Sequence, residues 1–165
     1  MISKKICMLG AFAVGKTALV QQYVHSIFTD RYLSTVGVKI SKKTLRVDDR
    51  EVSLVLWDLE GKDDYVDVNI SYLRGAMGFF TVADGTRQET LDVALSLRNM
   101  AVNLVGNVPH MLLINKADLA SSWEVSEERL AALQAEGLSI VRTSAKTGLA
   151  VNDSFTALTK AMLHV

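Results

Sequence analysis

The fold of this chain is decided by residues 6–17, ICMLGAFAVGKT, where a short apolar run leads into a glycine-containing loop. The loop fits the pattern G-x-x-x-x-G-K-[ST], which predicts a phosphate-binding loop between a strand and a helix. Its glycines let the backbone wrap a phosphate, and amides at the helix N-terminus donate to that phosphate. Lys16 offers a mobile charge to the β- and γ-phosphates, and Thr17 offers a hydroxyl to Mg²⁺. We therefore expect a nucleoside triphosphate site, with these candidate ligands: Ala13, Val14, Gly15, Lys16, Thr17, Ala18.

A second motif, NKAD at residues 115–118, follows the apolar run MLLI at residues 111–114. The Asp118 carboxylate can accept hydrogen bonds from the ring N–H and the exocyclic amine of guanine together, and adenine lacks that donor pair. A site built around such a bond rejects an analogue without it by roughly 10⁴ to 10⁵ at best. A polar loop is the alternative for this tetrapeptide alone, but its place after a phosphate loop favours guanine specificity.

Composition indicates one globular domain spanning residues 1–165. Hydrophobic residues make up 49% of the chain and charged residues 22%, which is typical of a folded domain rather than a disordered one. Lys and Arg number 18, as do Asp and Glu, so the formal net charge is +0. No overall field recruits nucleic acid or an anionic membrane, and we expect no nucleic-acid partner.

The termini and the single cysteine favour a cytoplasmic protein. The start of the chain lacks a secretory signal, and the longest apolar run, residues 76–83, is too short to span a bilayer. Cys7 lies in an apolar run, cannot form an internal disulfide and is predicted to be a small buried hydrophobe. No cysteine for prenylation lies near the C-terminus, so membrane association would need a lipidated tail beyond this sequence.

Strand and helix patterns alternate along the chain, which predicts an α/β fold with a mostly parallel six-stranded sheet and helices on both faces. Segments 38–47 and 51–58 flank a polar turn and are predicted to form one antiparallel hairpin at the sheet edge. Helices are predicted over residues 17–25 and 88–102, after Ser126, and in a last segment with this apolar stripe: Val151, Phe155, Leu158, Met162. In such folds ligands bind beyond the carboxyl ends of the strands, where the motifs above fall.

Taken together, these motifs resemble the Ras superfamily of small GTPases, most closely the Rab branch, over essentially the whole chain. Residues 28–38 look like the first switch loop and its exit strand. Residues 72–76, YLRGA, look like the Rab stretch after the second switch, and residues 143–148, TSAKTG, look like the last guanine-contact loop. The resemblance implies the G domain of the P-loop NTPases.

Roles around the phosphates follow from this resemblance. Thr35 would complete a Mg²⁺ shell that includes Thr17, and it would also sense the γ-phosphate. Asp58 would hold the ion through water, and the Gly61 amide would meet the γ-phosphate. The implied metal set is therefore Thr17, Thr35 and, through water, Asp58.

Roles around the base follow in the same way. Phe28 would pack its ring against guanine, and the aliphatic stem of Lys116 would cover the base. Asn115 would brace the site, and the Ala145 amide would meet the guanine carbonyl oxygen. The remaining implied contacts lie beside Ala145 in the last loop: Ser144, Lys146.

Three residues depart from the family in its hydrolysis machinery. Lys62 stands where the family has the glutamine that orients the attacking water, and a charged lysine has no acceptor for a water proton. Phe12 stands where a small residue is usual, and Glu60 where Rabs have alanine. We favour poor hydrolysis with solvated side chains. A rearranged site, in which Glu60 holds the water and either Lys62 or a group from a partner balances charge, is the alternative.

The sequence thus predicts a Rab-like switch that binds GTP and GDP with Mg²⁺ and hydrolyses GTP slowly. Its switch loops would recruit an effector, an exchange factor and a GTPase-activating protein. The alternative function is a non-hydrolysing GTP-bound scaffold, a pseudo-GTPase. An ATP-using phosphate-loop kinase is disfavoured by the guanine motif. The candidate catalytic residues are Lys16, Thr35, Glu60, Gly61, Lys62.

Overall fold

The residues described by the computed structural model are 1–26, 38–59 and 70–164. The strands in this part of the chain are β1 (Ile2–Gly10), β2 (Val38–Val47), β3 (Arg50–Leu59), β4 (Gly78–Asp84), β5 (His110–Asn115) and β6 (Ile140–Arg142). The α-helices are α1 (Lys16–His25), α2 (Gln88–Val105), α3 (Glu127–Ala135) and α4 (Val151–Leu163), with 3₁₀ segments at Ile70–Leu73 and Ala117–Ser122.

One sheet joins all six described strands in the order β2-β3-β1-β4-β5-β6. Only β2 and β3 pair antiparallel, and every other neighbouring pair is parallel. Strand β4 is buried at all 7 of its residues, as a central strand covered on both faces must be. The prediction of a mostly parallel six-stranded sheet with an antiparallel edge hairpin is confirmed.

The hairpin turns at Asp48 and Asp49, which both have positive φ, at 50° and 62°. This is the backbone of a two-residue primed turn, whose twist matches that of the strands it joins, and Asp tolerates it better than most side chains. Because Val47 then pairs with Arg50, the turn is one residue shorter than the predicted polar turn.

Helices cover both faces of the sheet. Helices α1 and α4 pack on one face, where Phe155 stacks on Tyr23 with ring centroids 4.0 Å apart and meets Phe80 edge-on at 4.8 Å. Helix α2 packs on the opposite face against β1 and β4. The predicted apolar stripe of α4 is confirmed, since Val151, Phe155, Leu158 and Met162 are all buried.

Helix boundaries follow local signals. The Ser126 hydroxyl accepts a hydrogen bond from the Arg129 amide at 3.1 Å and caps α3, as predicted. Helix α2 begins at the predicted Gln88 but runs to Val105, three residues further than predicted, and ends before Gly106. No helix in the described ranges is long and apolar enough to cross a bilayer.

Candidate functional site

The phosphate loop joins β1 to α1, and its lysine side chain forms hydrogen bonds with the backbone of the same loop. Lys16 Nζ donates to the Gly10 carbonyl oxygen at 2.9 Å and to that of Ala11 at 3.2 Å, and its side chain is buried. Gly15 occupies the N-cap of α1 with φ 104° and supplies no capping side chain, which is the geometry of helix termini that bind anions. The charge of Lys16 therefore lies inside the loop, where a phosphate would bind.

Beside the loop, Thr17 lies against the carboxylate at the end of β3. The Thr17 hydroxyl donates to Asp58 Oδ2 at 2.5 Å, and Asp58 is 6% exposed. Burial raises the pKa of Asp58, while the Thr17 hydrogen bond and the charges of Lys16 and Lys39 oppose that rise. A hydroxyl and a carboxylate in this arrangement are oxygen donors of the kind that Mg²⁺ prefers, so the pair fits the ion.

Asn115 connects the phosphate loop to the last guanine-contact loop. Its Nδ2 donates to the Val14 carbonyl oxygen at 3.0 Å, while its Oδ1 accepts from Thr143 Oγ1 at 3.1 Å and from the Ala145 amide at 3.2 Å. A Cβ on Gly15 would lie 2.2 Å from Asn115 Nδ2, so only glycine fits there. The Ala145 amide is thus already used within the site, and its predicted contact with guanine stays a prediction.

Lys116 and Asp118 lie just after β5, with Asp118 in the 3₁₀ segment that follows it. Asp118 is exposed, and one of its oxygens is held by the Ser144 hydroxyl at 2.7 Å. The Thr147 amide in turn donates to Ser144 Oγ at 3.1 Å. Lys116 Nζ reaches back to the Ala13 carbonyl oxygen at 3.2 Å. The base-reading motif and the phosphate loop are therefore joined at two points, through Asn115 and through Lys116.

The remaining predicted residues divide into two groups. Ala18 packs in the core behind the loop, whereas Lys146 is exposed and Phe12 is 42% exposed. The others lie outside the described residues, and their predicted roles stay predictions: Phe28, Thr35, Glu60, Gly61, Lys62.

Sequence reasoning missed a polar cluster at the end of β4. Asp84 pairs in register with Asn115 and binds both Lys116 and Arg87. Trp123 donates through Nε1 to the Lys116 carbonyl oxygen at 2.9 Å. A carboxylate at the end of a buried, mostly apolar strand was the available signal, because the ends of neighbouring parallel strands meet at one edge.

Comparisons with known proteins agree with this geometry. Residues 5–164 match the family described as the Ras family. The chain is 33% identical to Ras-related protein Rab-10 of Caenorhabditis elegans, covering 96% of this chain and 80% of the relative. It is 30% identical to Ras-related protein Rab-8B of Homo sapiens, covering 96% and 78%, and 30% identical to Ras-related protein Rab-8 of Diplobatis ommata, covering 96% and 77%.

Proposed function

Because the chain belongs to the Ras family and is a Rab-like small GTPase, we propose that it is a cytoplasmic switch that binds GTP and GDP with Mg²⁺ and hydrolyses GTP slowly. Family membership supports a GTP-binding switch in general. The proposal of a nucleotide site is supported above all by the hydrogen bonds of the Asn115 side chain, which connect the phosphate loop to residues 143–145. A phosphate site and a base site are thereby held at a fixed separation, as a nucleotide requires.

Guanine selection is assigned to Asp118. Asp118 is exposed, and the Ser144 hydroxyl fixes one of its oxygens. The carboxylate would accept hydrogen bonds from the ring N–H and the exocyclic amine of guanine. Held this way, the carboxylate loses little freedom on binding, and such preorganisation favours affinity.

Magnesium is assigned to Thr17, with Asp58 holding the ion through water and Thr35 completing the shell. The support is the contact between the Thr17 hydroxyl and the Asp58 carboxylate. When bound, the ion neutralises charge on the β- and γ-phosphate oxygens. The residues act around it: Lys16 balances the phosphate charge, and the Gly61 amide orients the γ-phosphate.

Hydrolysis is attack of a water oxygen on the γ-phosphorus, which breaks the bond to the bridging oxygen and yields GDP and phosphate. It is slow in this proposal because Lys62 offers no acceptor to orient that water. Phe12 adds an obstacle, since a bulky side chain on the phosphate loop obstructs an incoming arginine. The combination of Phe12 with Lys62 also favours the second candidate, a GTP-bound scaffold that does not hydrolyse.

The effector surface is assigned to the switch loops and the adjoining outer face of the hairpin. Ile40 is 48% exposed and pairs in register with Trp57, whose ring lies 5.9 Å from that of Tyr72. Lys5 Nζ lies 3.7 Å from the Trp57 ring centroid. An apolar patch with a basic margin fits a partner with aliphatic side chains and acidic neighbours. Exchange and activating proteins would act on the same loops.

The test is single-turnover hydrolysis of prebound GTP in the presence of Mg²⁺. We expect slow turnover in the wild type and a rise of roughly 100-fold in Lys62→Gln, the low end of what a positioned group contributes. Phe12→Gly tests the obstacle separately. Fast wild-type turnover that is lost in Glu60→Ala would contradict the proposal in favour of a rearranged site. If both variants bind GTP and neither turns it over, the scaffold is the better description.

A further inference from the structure

Strand β4 ends at Asp84, and the side chain of this residue is 1% exposed. Its Oδ1 accepts hydrogen bonds from the Thr86 amide at 2.9 Å and from the Thr86 hydroxyl at 2.7 Å. Its Oδ2 lies 3.2 Å from Arg87 Nε and 2.8 Å from Lys116 Nζ. A buried carboxylate is thus fully bonded and shared between two cations.

Both cations continue to the phosphate loop. Arg87 donates through a terminal nitrogen to the Phe12 carbonyl oxygen at 2.7 Å, and Lys116 Nζ donates to the Ala13 carbonyl oxygen at 3.2 Å. These two carbonyls belong to consecutive residues, and Ala13 has a left-handed backbone with φ 64°. The side chains of Arg87 and Lys116, called the two arms below, therefore connect the Asp84 carboxylate to a strained segment of the loop that has to wrap the phosphates.

A separate set of contacts fixes Lys116 from its backbone side. Lys116 is left-handed, with φ 73°, and its carbonyl oxygen accepts from Trp123 Nε1. Trp123 packs so closely on Gly85 that a Cβ there would lie 2.1 Å from the indole ring. The residue after Asp84 thus supports the backbone of Lys116, while Asp84 binds its ammonium group.

We infer that Asp84 is a positioning residue for nucleotide binding, which acts through Arg87 and Lys116 to hold the phosphate loop and the base-covering lysine in one arrangement. The inference rests on the proposed nucleotide site. It adds that Asp84 prolongs the lifetime of the complex between the protein and its nucleotide. Without the carboxylate, both arms lose their common anchor and the loop has to be ordered by the nucleotide itself, so nucleotide release becomes faster.

The experiment is the release rate of a fluorescent N-methylanthraniloyl derivative of GDP from wild type and variants with Mg²⁺. Breaking a buried charge pair acts mainly on dissociation, so we expect Asp84→Asn to accelerate release about tenfold or more. Arg87→Met removes one arm and should accelerate release about threefold. The matched control is Asp92→Asn, which breaks an exposed carboxylate–Arg129 pair away from the loop and should leave release within about twofold.

If Asp84 acts through Arg87, the effects of the two substitutions on release should not be independent, whereas a general loss of stability predicts independent effects. In the Arg87→Met background, Asp84→Asn should accelerate release by a clearly smaller factor than in the wild type, because one of the two side chains that Asp84 anchors is already missing. Factors that multiply fully, or an Asp84→Asn rate within about twofold of wild type, overturn the inference.

Failure of the proposed function gives a different result. A wild type that retains no guanine nucleotide refutes that function. Whether Asp84 holds the phosphate loop is then tested by amide hydrogen exchange of residues 12–16. Equal exchange in wild type and Asp84→Asn overturns the inference. Should Asp84→Asn not fold, Arg87→Met decides alone: unchanged release and unchanged loop exchange overturn the inference.

Discussion

At the residue scale, the fixed positions of the phosphate loop are explained by what surrounds them. Gly15 has a left-handed backbone, and the Asn115 side chain occupies the space where a Cβ would lie. The loop could be predicted from sequence because all of its parts are contiguous. The arms of Asp84 could not, because Arg87 and Phe12 are 75 positions apart and only the fold brings them together.

Cys7 gives a test at this scale. It is fully buried, and burial raises the pKa of its thiol to about 11, although the charge of Lys5 opposes the rise. The reactive thiolate is therefore scarce at neutral pH and also inaccessible. We expect no alkylation of the folded protein by iodoacetamide at about pH 8, measured by intact mass. Denatured protein is the control and should gain one adduct, whereas rapid labelling of the native protein would contradict the packing of β1.

At the element scale, periodicity predicted the helices and the long strands because burial repeats with the geometry of each element. The α4 stripe is the clearest case. Strand β6 is not located by such a pattern: its 3 residues are all half-buried, too few to show alternation. The true end of α2 did carry a signal, because Gly106 and Pro109 follow Val105 as helix stop residues, and the prediction ended the helix three residues too early.

Phe155 tests the packing of α4. Its ring is fully buried between Tyr23 and Phe80, so Phe155→Ala leaves a cavity that the core can only partly close. We expect a loss of about 3–5 kcal/mol in the free energy of unfolding, measured by urea denaturation. The control is Leu104→Ala on α2, where the side chain is 44% exposed, and it should cost about 0.5 kcal/mol or less. Equal effects of the two changes would contradict the described core.

At the scale of the whole molecule, the parallel order of the central strands collects the site at one edge of the sheet. Met8 pairs with Asp58, Gly10 with Val82, and Asp84 with Asn115, so the ends of four strands meet where the loops lie. This convergence was predictable from the alternation of strands and helices. Thr35 and Gly61, which would sense the γ-phosphate in the proposed function, lie outside the described ranges, and their roles stay predictions.

The pH dependence of unfolding belongs to this scale. Burial of Asp84 disfavours its charge, but the hydrogen bonds from Lys116 and Thr86 and the charge of Lys116 outweigh burial, so its pKa lies below the ordinary value. A carboxyl with a lowered folded pKa stabilises the protein above about pH 3.9, and this stabilisation is lost as the pH falls through the folded pKa. The melting temperature of nucleotide-free Asp84→Asn should therefore trail the wild type by a constant amount between about pH 5 and pH 7, and by less as the pH falls below about 3.9. A difference that does not change with pH would contradict the ionised cluster.

The position of β2 has a consequence for how copies of the protein meet. Among the described strands β2 lies at the edge of the sheet, and an edge strand of 10 residues offers backbone groups to another extended chain. Here the outward side chains include Lys42 and Arg46, which are exposed, and Lys39 and Lys43 lie on the same strand. A second copy that approached edge to edge would set these cations against its own. The charge on this strand therefore disfavours edge-to-edge pairing, although the chain as a whole has no net charge.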